Sequence, residues 1–171
     1  MRELSDIYPI VAKSPMLDLR FPTTLQMMLS LALAQREGDL VLSSAQLAEG
    51  AGTNASLVRR LLPQLAKAGL VTGTKGREGG VRLARPACEI SLDAVYLAVM
   101  GEDPLWAARH NVPHRCLVSN NMADFFERLT RDAQAALVAS LARRNLADSL
   151  EELRVIEASA EAALRTAARS G

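Results

Sequence analysis

The chain has 171 residues, 49% of them hydrophobic and 23% charged, which is a globular rather than a disordered composition and enough length for one core or for a small domain with a dimerisation arm. No stretch of about 20 uncharged apolar residues offers a membrane span, and the N-terminus lacks the basic-then-apolar order of a secretion signal, so the expected class is a soluble, cytoplasmic protein with no membrane partner. Two cysteines without a dense framework fit a reducing compartment, and a net charge of +1 proves to be very unevenly distributed.

Residues 1–15 carry Pro9 and Pro15 and no sustained period, and read as an N-terminal extension, flexible or laid across a partner subunit. From Pro22 onwards Leu25, Met28, Leu29, Ala32 and Leu33 follow the i, i+3, i+4, i+7, i+8 spacing of an amphipathic helix that runs to about Arg36 and ends at Gly38. Leu40-Val41-Leu42 then reads as a short strand. Ser43 with Gln46 forms a capping-box pattern, which predicts a short helix starting near Ser44. Gly52 suits the left-handed residue that ends it, and Asn54 suits the N-cap of another. In that second helix Leu57, Leu61, Leu65 and Ala68 share a face, with Val58 and Leu62 beside them, while Ser56, Arg59 and Arg60 lie off the stripe. Pro63 cannot donate to the carbonyl of Arg59, so a bend or break is expected there.

After Gly69 the period changes to two. Val71 closes one run, Val81 and Leu83 alternate with Arg82 in the next, and Gly73, Gly76, Gly79 and Gly80 mark a hairpin between them. Leu40–Leu42 is placed to pair with it. Helix, turn, helix and hairpin together read as a winged helix-turn-helix over residues 16–100. Between Thr53 and Pro86 stand seven Lys or Arg against one acid, Glu78, so the rest of this nearly neutral chain is acidic. One basic module on an acidic protein is the electrostatic footprint of a face for double-stranded DNA. On this reading Ser44, Asn54, Ala55, Ser56, Arg59 and Arg60 face the DNA from the helix-turn-helix, with the two arginines at base edges. Lys75, Arg77 and Arg82 serve phosphate or minor-groove contact, and Gly79 and Gly80 let the wing backbone approach.

Further on, Ser91 is a candidate cap for a helix carrying Leu92, Val95 and Val99, closed by Gly101. Residues 101–119 hold Pro104, Trp106, His110, Pro113, His114 and Cys116 and read as an irregular sensor loop. From Val118 to Ser170 there is neither glycine nor proline. Met122, Phe125, Phe126, Leu129, Ala133, Ala136, Leu137 and Leu141 mark a long helix over about Asn120–Arg144, and Asp148 with Glu151 signals another over about Ser149–Ala168. A helix that long on so small a domain leaves an apolar face that a second copy would cover, so residues 120–171 read as a dimerisation region. The fold class expected is mainly α with a small β wing, a winged helix-turn-helix plus a long dimerisation helix and a C-terminal helix.

The run from Leu47 to Arg85 resembles the bacterial regulators that include IscR, NsrR and CymR, the Rrf-two family. The residues that carry the resemblance are Lys-Ala-Gly-Leu-Val from Lys67 and Lys-Gly-Arg-Glu-Gly-Gly-Val-Arg-Leu-Ala-Arg-Pro from Lys75, continued through Glu89-Ile90-Ser91-Leu92-Asp93-Ala94-Val95. The resemblance implies a homodimeric transcription factor, usually a repressor, on a pseudo-palindromic operator. It also implies that some members hold an iron-sulfur cluster on three cysteines ahead of the long helix. Here that loop has one, Cys116, and Cys88 lies on the exit from the wing, so neither a cluster nor another cofactor is expected.

The sensor candidates are Cys116, Cys88, His110, His114 and Trp106, acting through a redox, thiol-reactive or small-molecule signal. Arg115 and the start of the long helix would both lower the thiol pKa of Cys116. The bland alternative is a small buried hydrophobe. His110, His114 and Cys116 form a weak match to a zinc site, so no metal is expected. Cys116 with His114 is the one conceivable nucleophile-base pair, and without an orienting group it predicts no enzyme. The alternative function is a winged-helix protein-interaction module without specific DNA binding.

Overall fold

A computed structural model describes residues 18–74, 79–101, 103–106 and 116–169. The N-terminal extension, Lys75 to Glu78 and the stretch from 107 to 115 lie outside them.

Helix α1 spans Arg20–Arg36, starting two residues before Pro22, and α2 spans Ser44–Gly50. The capping box on α2 forms as the sequence predicts, with Ser43 Oγ accepting from Gln46 N–H at 3.2 Å and Gln46 Oε1 accepting from Ser43 N–H at 2.9 Å. Gly52 takes the left-handed conformation, φ +58°. Helix α3, Ala55–Lys67, is capped by Asn54 through its side-chain oxygen on Leu57 N–H at 2.9 Å. Strands β1, Val71–Gly73, and β2, Val81–Leu83, pair antiparallel in the register Val71 to Leu83, Thr72 to Arg82 and Gly73 to Val81. A 3-10 turn at Ala87–Glu89 leads into α4, Leu92–Met100. Helices α5, Leu117–Leu141, and α6, Leu146–Arg169, complete a mainly helical fold with a small β wing.

Several local expectations are corrected. Helix α3 runs unbroken through Pro63, so of the bend or break expected there the break does not occur. The proline and Arg59 are both exposed, on the solvent side of the helix. The Leu40–Leu42 strand reduces to one bridge, Leu42 to Val81. Ser91 is the N-cap residue of α4, yet its side chain makes no capping bond; its backbone is engaged instead in a bridge with Asn145. Helix α5 begins at Leu117 and ends at Leu141, three residues earlier than expected at either end. The cap of α6 is Asn145, whose Oδ1 accepts from Asp148 N–H at 2.8 Å, so Asp148 is a third-position partner rather than the cap.

One core serves both halves. Met27, Met28 and Leu31 of α1, Val58, Leu61 and Leu65 of α3, Leu83 of β2, Val95 of α4 and Leu146 of α6 belong to a single buried cluster. At the wing exit, Leu92 N–H donates to Arg144 C=O at 2.9 Å and Leu146 N–H to Ile90 C=O at 3.0 Å, clasping the α5–α6 corner. Gln35 of α1 holds the same exit: its Oε1 accepts from Ala87 N–H at 3.0 Å, and its amide nitrogen donates to Arg85 C=O at 3.3 Å.

The hairpin is seated through Leu42, whose N–H donates to Val81 C=O at 2.9 Å and whose C=O accepts from Val81 N–H at 2.8 Å. Gly80 makes this approach possible. A Cβ there would stand 2.9 Å from Leu42 O, 3.0 Å from its carbonyl carbon and 3.1 Å from Val41 Cβ. Gly80 is therefore required for space rather than for a left-handed backbone. Gly80→Ala is expected to cost about 1–3 kcal/mol, as overpacking against fixed backbone does. Urea unfolding measures it, and a loss under about 0.5 kcal/mol would mean that the hairpin moves away freely.

Candidate nucleic-acid interface

Helix α3 divides by burial. Val58, Leu61 and Leu65 are buried, Leu57 and Leu62 half-buried, and Ser56, Arg59, Arg60 and Lys67 exposed. Spacings of three, four and seven residues put Ser56, Arg59, Arg60 and Lys67 on one outward face. Asn54 is exposed at the start of that face, but its side-chain oxygen is committed to the cap. Ala55 and Ser44, each the first residue of its helix, are half-buried. Arg59 folds back on its own helix, with Nε donating to Ala55 C=O at 3.1 Å. To reach a base edge it must leave that bond, which costs little at an exposed site.

Gly79 and Gly80 are half-buried beside the hairpin. Arg82 lies on the outward side of β2, between half-buried Val81 and buried Leu83. Its Nη1 meets Asp39 Oδ2 at 2.6 Å, an ion pair across 43 positions of sequence that local pattern gives no means of finding. Asp39 sits in the turn after α1, where Gly38 was read only as the end of a helix. Lys75 and Arg77, at the predicted tip, lie outside the described residues. The structure thus brings the α3 cations, β2 and the α1–α2 turn into one unit through the Leu42–Val81 bridge and the shared core.

The sensor candidates fall on separate elements. Cys116 is the N-cap residue of α5 and is exposed; its backbone N–H donates to Ser119 Oγ at 3.0 Å, and its Sγ lies 3.6 Å from the same oxygen. Hydrogen bonds to the sulfur, from Ser119 N–H first, then its hydroxyl, then Val118 N–H, hold this thiol below its usual range. These bonds come from the start of α5, and the thiol is exposed in the single chain; Arg115 lies outside the described residues. Cys88, also exposed, is in the 3-10 turn after the wing. Trp106 is exposed and tilted against Phe126 with ring centroids 6.4 Å apart, whereas Tyr96 packs edge-on against Phe21. His110 and His114 lie outside the described residues. Among the described residues no three His, Cys, Asp or Glu side chains are grouped as a metal site, and no helix is long and apolar enough to cross a membrane.

The family model for Rrf2, described as an iron-dependent transcriptional regulator, matches residues 17–152. YwnA of Bacillus subtilis (strain 168), described as an HTH-type transcriptional regulator, is 32% identical over 111 residues, covering 65% of this chain and 83% of YwnA. The HTH-type transcriptional regulator IscR of Cereibacter sphaeroides is 35% identical over 72 residues, 42% of this chain and 46% of that protein. Among solved structures, Staphylococcus aureus CymR superposes with a TM-score of 0.58 at 23% identity, over 78% of this chain and 97% of that one, a likeness of fold. The iron in the family's description finds a poor donor set here. An iron-sulfur cluster takes about four ligands, mostly thiolates, and this chain has two cysteines on different elements.

The Cys116 environment makes a measurable statement. Alkylation by iodoacetamide, followed by peptide mass spectrometry across pH, is expected to show a midpoint for Cys116 below about 8.5, the ordinary thiol value. Ser119→Ala, which removes the hydroxyl bond and keeps the amide, is expected to raise that midpoint. A midpoint at or above the ordinary value would contradict the hydrogen-bonded thiolate.

Proposed function

The chain belongs to the Rrf2 family and is a DNA-binding transcriptional regulator, not an enzyme; from that premise we propose that it acts as a cytoplasmic homodimeric repressor. Its two winged helix-turn-helix modules read the half-sites of a pseudo-palindromic operator in successive major grooves, and repression follows from occupying a promoter. Arg59 and Arg60 of α3 serve base edges, and Arg82 and the wing cations serve phosphates. Ser44, Asn54, Ala55 and Ser56 frame the reading helix, and Gly79 and Gly80 shape the wing.

The observation that carries the dimer is the state of α5. Of its 25 residues only Thr130 is buried, while Leu117, Val118, Met122, Phe125 and Leu129 are between 43% and 81% exposed. A helix of about 37 Å presenting that stripe to water is costly at roughly 25 cal/mol per Å² of apolar surface, and a second copy removes the cost. The signal is received beside the same stripe. Cys116 caps α5 with an exposed, acidified thiol, so a redox or thiol-reactive effector acting there alters the start of the dimerisation helix and the relative aim of the two reading heads. A small-molecule effector near Trp106 would act on the same helix through Phe126.

Fluorescence anisotropy with DNA from upstream of the protein's own gene, across a salt series, tests the reading. Binding is expected to fall steeply with salt, and Arg59→Ala with Arg60→Ala to abolish preference for that DNA over a mixed sequence. Phe125→Glu with Leu129→Glu is expected to give a single-chain species in sedimentation and to lose about 100-fold or more in operator affinity as bivalence disappears. Cys116→Ser is expected to bind as the parent does and to ignore oxidants and electrophiles. A parent that binds no tighter than to random DNA, or a variant pair that stays dimeric, would overturn the corresponding part.

A further inference from the structure

Asp39 occupies a backbone position that a side chain does not favour. Helix α1 ends in a turn closed by Asp39 N–H on Gln35 C=O and Leu40 N–H on Ala34 C=O, each 3.1 Å, with Gly38 at φ +127° and Asp39 at φ +57°. Left-handed backbone is glycine's habit, tolerated by Asp at some cost. The turn would form at least as well without a carboxylate. What the carboxylate does contact is Arg82, at 2.6 Å, on the outward side of β2.

We propose that Asp39 is an internal competitor for the DNA backbone: it occupies the guanidinium of Arg82 in the free protein and must be displaced by a phosphate when the wing engages DNA. This rests on the reading of Arg82 as a phosphate contact. The exchange swaps one anion for another, so Arg82 contributes less affinity than a free arginine would. Afterwards Asp39 is left unpaired beside the phosphates. Both partners are about half exposed, and such pairs are weak, so the latch yields to DNA rather than blocking it. The seating of β2 does not depend on the pair, because the Leu42–Val81 bridge and the buried Leu83 hold the strand. Asp39 therefore acts as a positioning residue that sets how strongly the wing grips any sequence.

Phosphate contacts carry no sequence information, so a mixed-sequence duplex is a sufficient probe. Its affinity for the full-length protein is measured by anisotropy across a salt series, for the parent, Asp39→Asn, Arg82→Ala and the double variant. Asparagine tolerates the left-handed turn, and Asp39→Gly, which suits it better still, serves as a second variant without the carboxylate. Asp39→Asn is expected to tighten binding about two- to fivefold, the worth of an exposed ion pair. It is also expected to steepen the salt slope, because the parent's uncovered Asp39 takes a cation back up on binding and the variant does not. In the Arg82→Ala background the same substitution is expected to tighten binding clearly less, leaving only the relief of repulsion between Asp39 and the phosphates.

Weaker binding by Asp39→Asn would make the pair a strap that organises the wing, and would overturn the proposal. Equal tightening with and without Arg82 would reduce it to long-range repulsion between Asp39 and DNA, which also overturns it, as does no change at all. A parent that shows no salt-dependent affinity for the duplex would remove the DNA-contact reading itself, a result distinct from any of these.

Discussion

Two hydrogen bonds between Leu42 and Val81 join the start of the helix-turn-helix to the wing, and the geometry of the candidate interface depends on them. Leu42 immediately precedes Ser43, the cap of α2, and Val81 opens β2, so the bridge ties the start of the helix-turn-helix to the wing. It demands that two backbones approach with nothing between them, and Gly80 is the residue that permits this. The hairpin itself has only three paired positions, too few to stand alone in water. Its orientation is inherited from the helices through this one contact and through buried Leu83 and Val71.

A second set of backbone contacts joins the wing exit to the C-terminal end of α5. The clasp between Ile90–Leu92 and Arg144–Leu146 sits where Gln35 also grips Arg85 and Ala87. Helix α5 is thus anchored at its C-terminal end, where Leu141 and Leu146 join the core, and braced midway by Gln134 on Leu105 N–H. Its N-terminal half, from Leu117 to Leu129, carries the exposed stripe. In the proposed dimer a second copy meets α5 at the end away from the reading head, so an event at that end would change the relative aim of the two heads. The regulatory proposal relies on that asymmetry rather than on any contact between Cys116 and the DNA-facing residues.

Much of the first half was legible because its signals are local. Ser43 with Gln46, Gly52 and Asn54 are read within four residues of where they act, and the alternation around Arg82 gave the wing strand. The failures share a different cause. The Asn145 cap was missed because Asp148 carries the stronger acid signal, although it is the partner and not the cap. Ser91 looked like a side-chain cap because composition does not reveal that its backbone is bridged 54 positions away. At Pro63 the expected bend or break left two outcomes open, and the continuous helix rules out the break. For the candidate site, Ser56, Arg59, Arg60 and Arg82 were identified as exposed, but Asp39 was not, since an ion pair between position 39 and position 82 has no periodicity to betray it.

The two kinds of non-local contact differ in a way that matters for binding DNA. The bridges at Leu42–Val81 and Ser91–Asn145 are neutral backbone bonds beside a buried core, insensitive to ionic strength and to the approach of a polyanion. The ion pairs, Arg82 with Asp39, Arg36 with Glu151 and Arg144 with Glu152, are all at least two-fifths exposed and cheap to break. Had the wing been seated by Arg82 and Asp39, a phosphate competing for the guanidinium would have loosened the fold at the moment of contact. Because the seat is neutral, the charges can be exchanged with the DNA backbone while the geometry that aims them stays fixed. That separation is what the proposed role of Asp39 requires: the carboxylate lies against Arg82 without being a support of the structure.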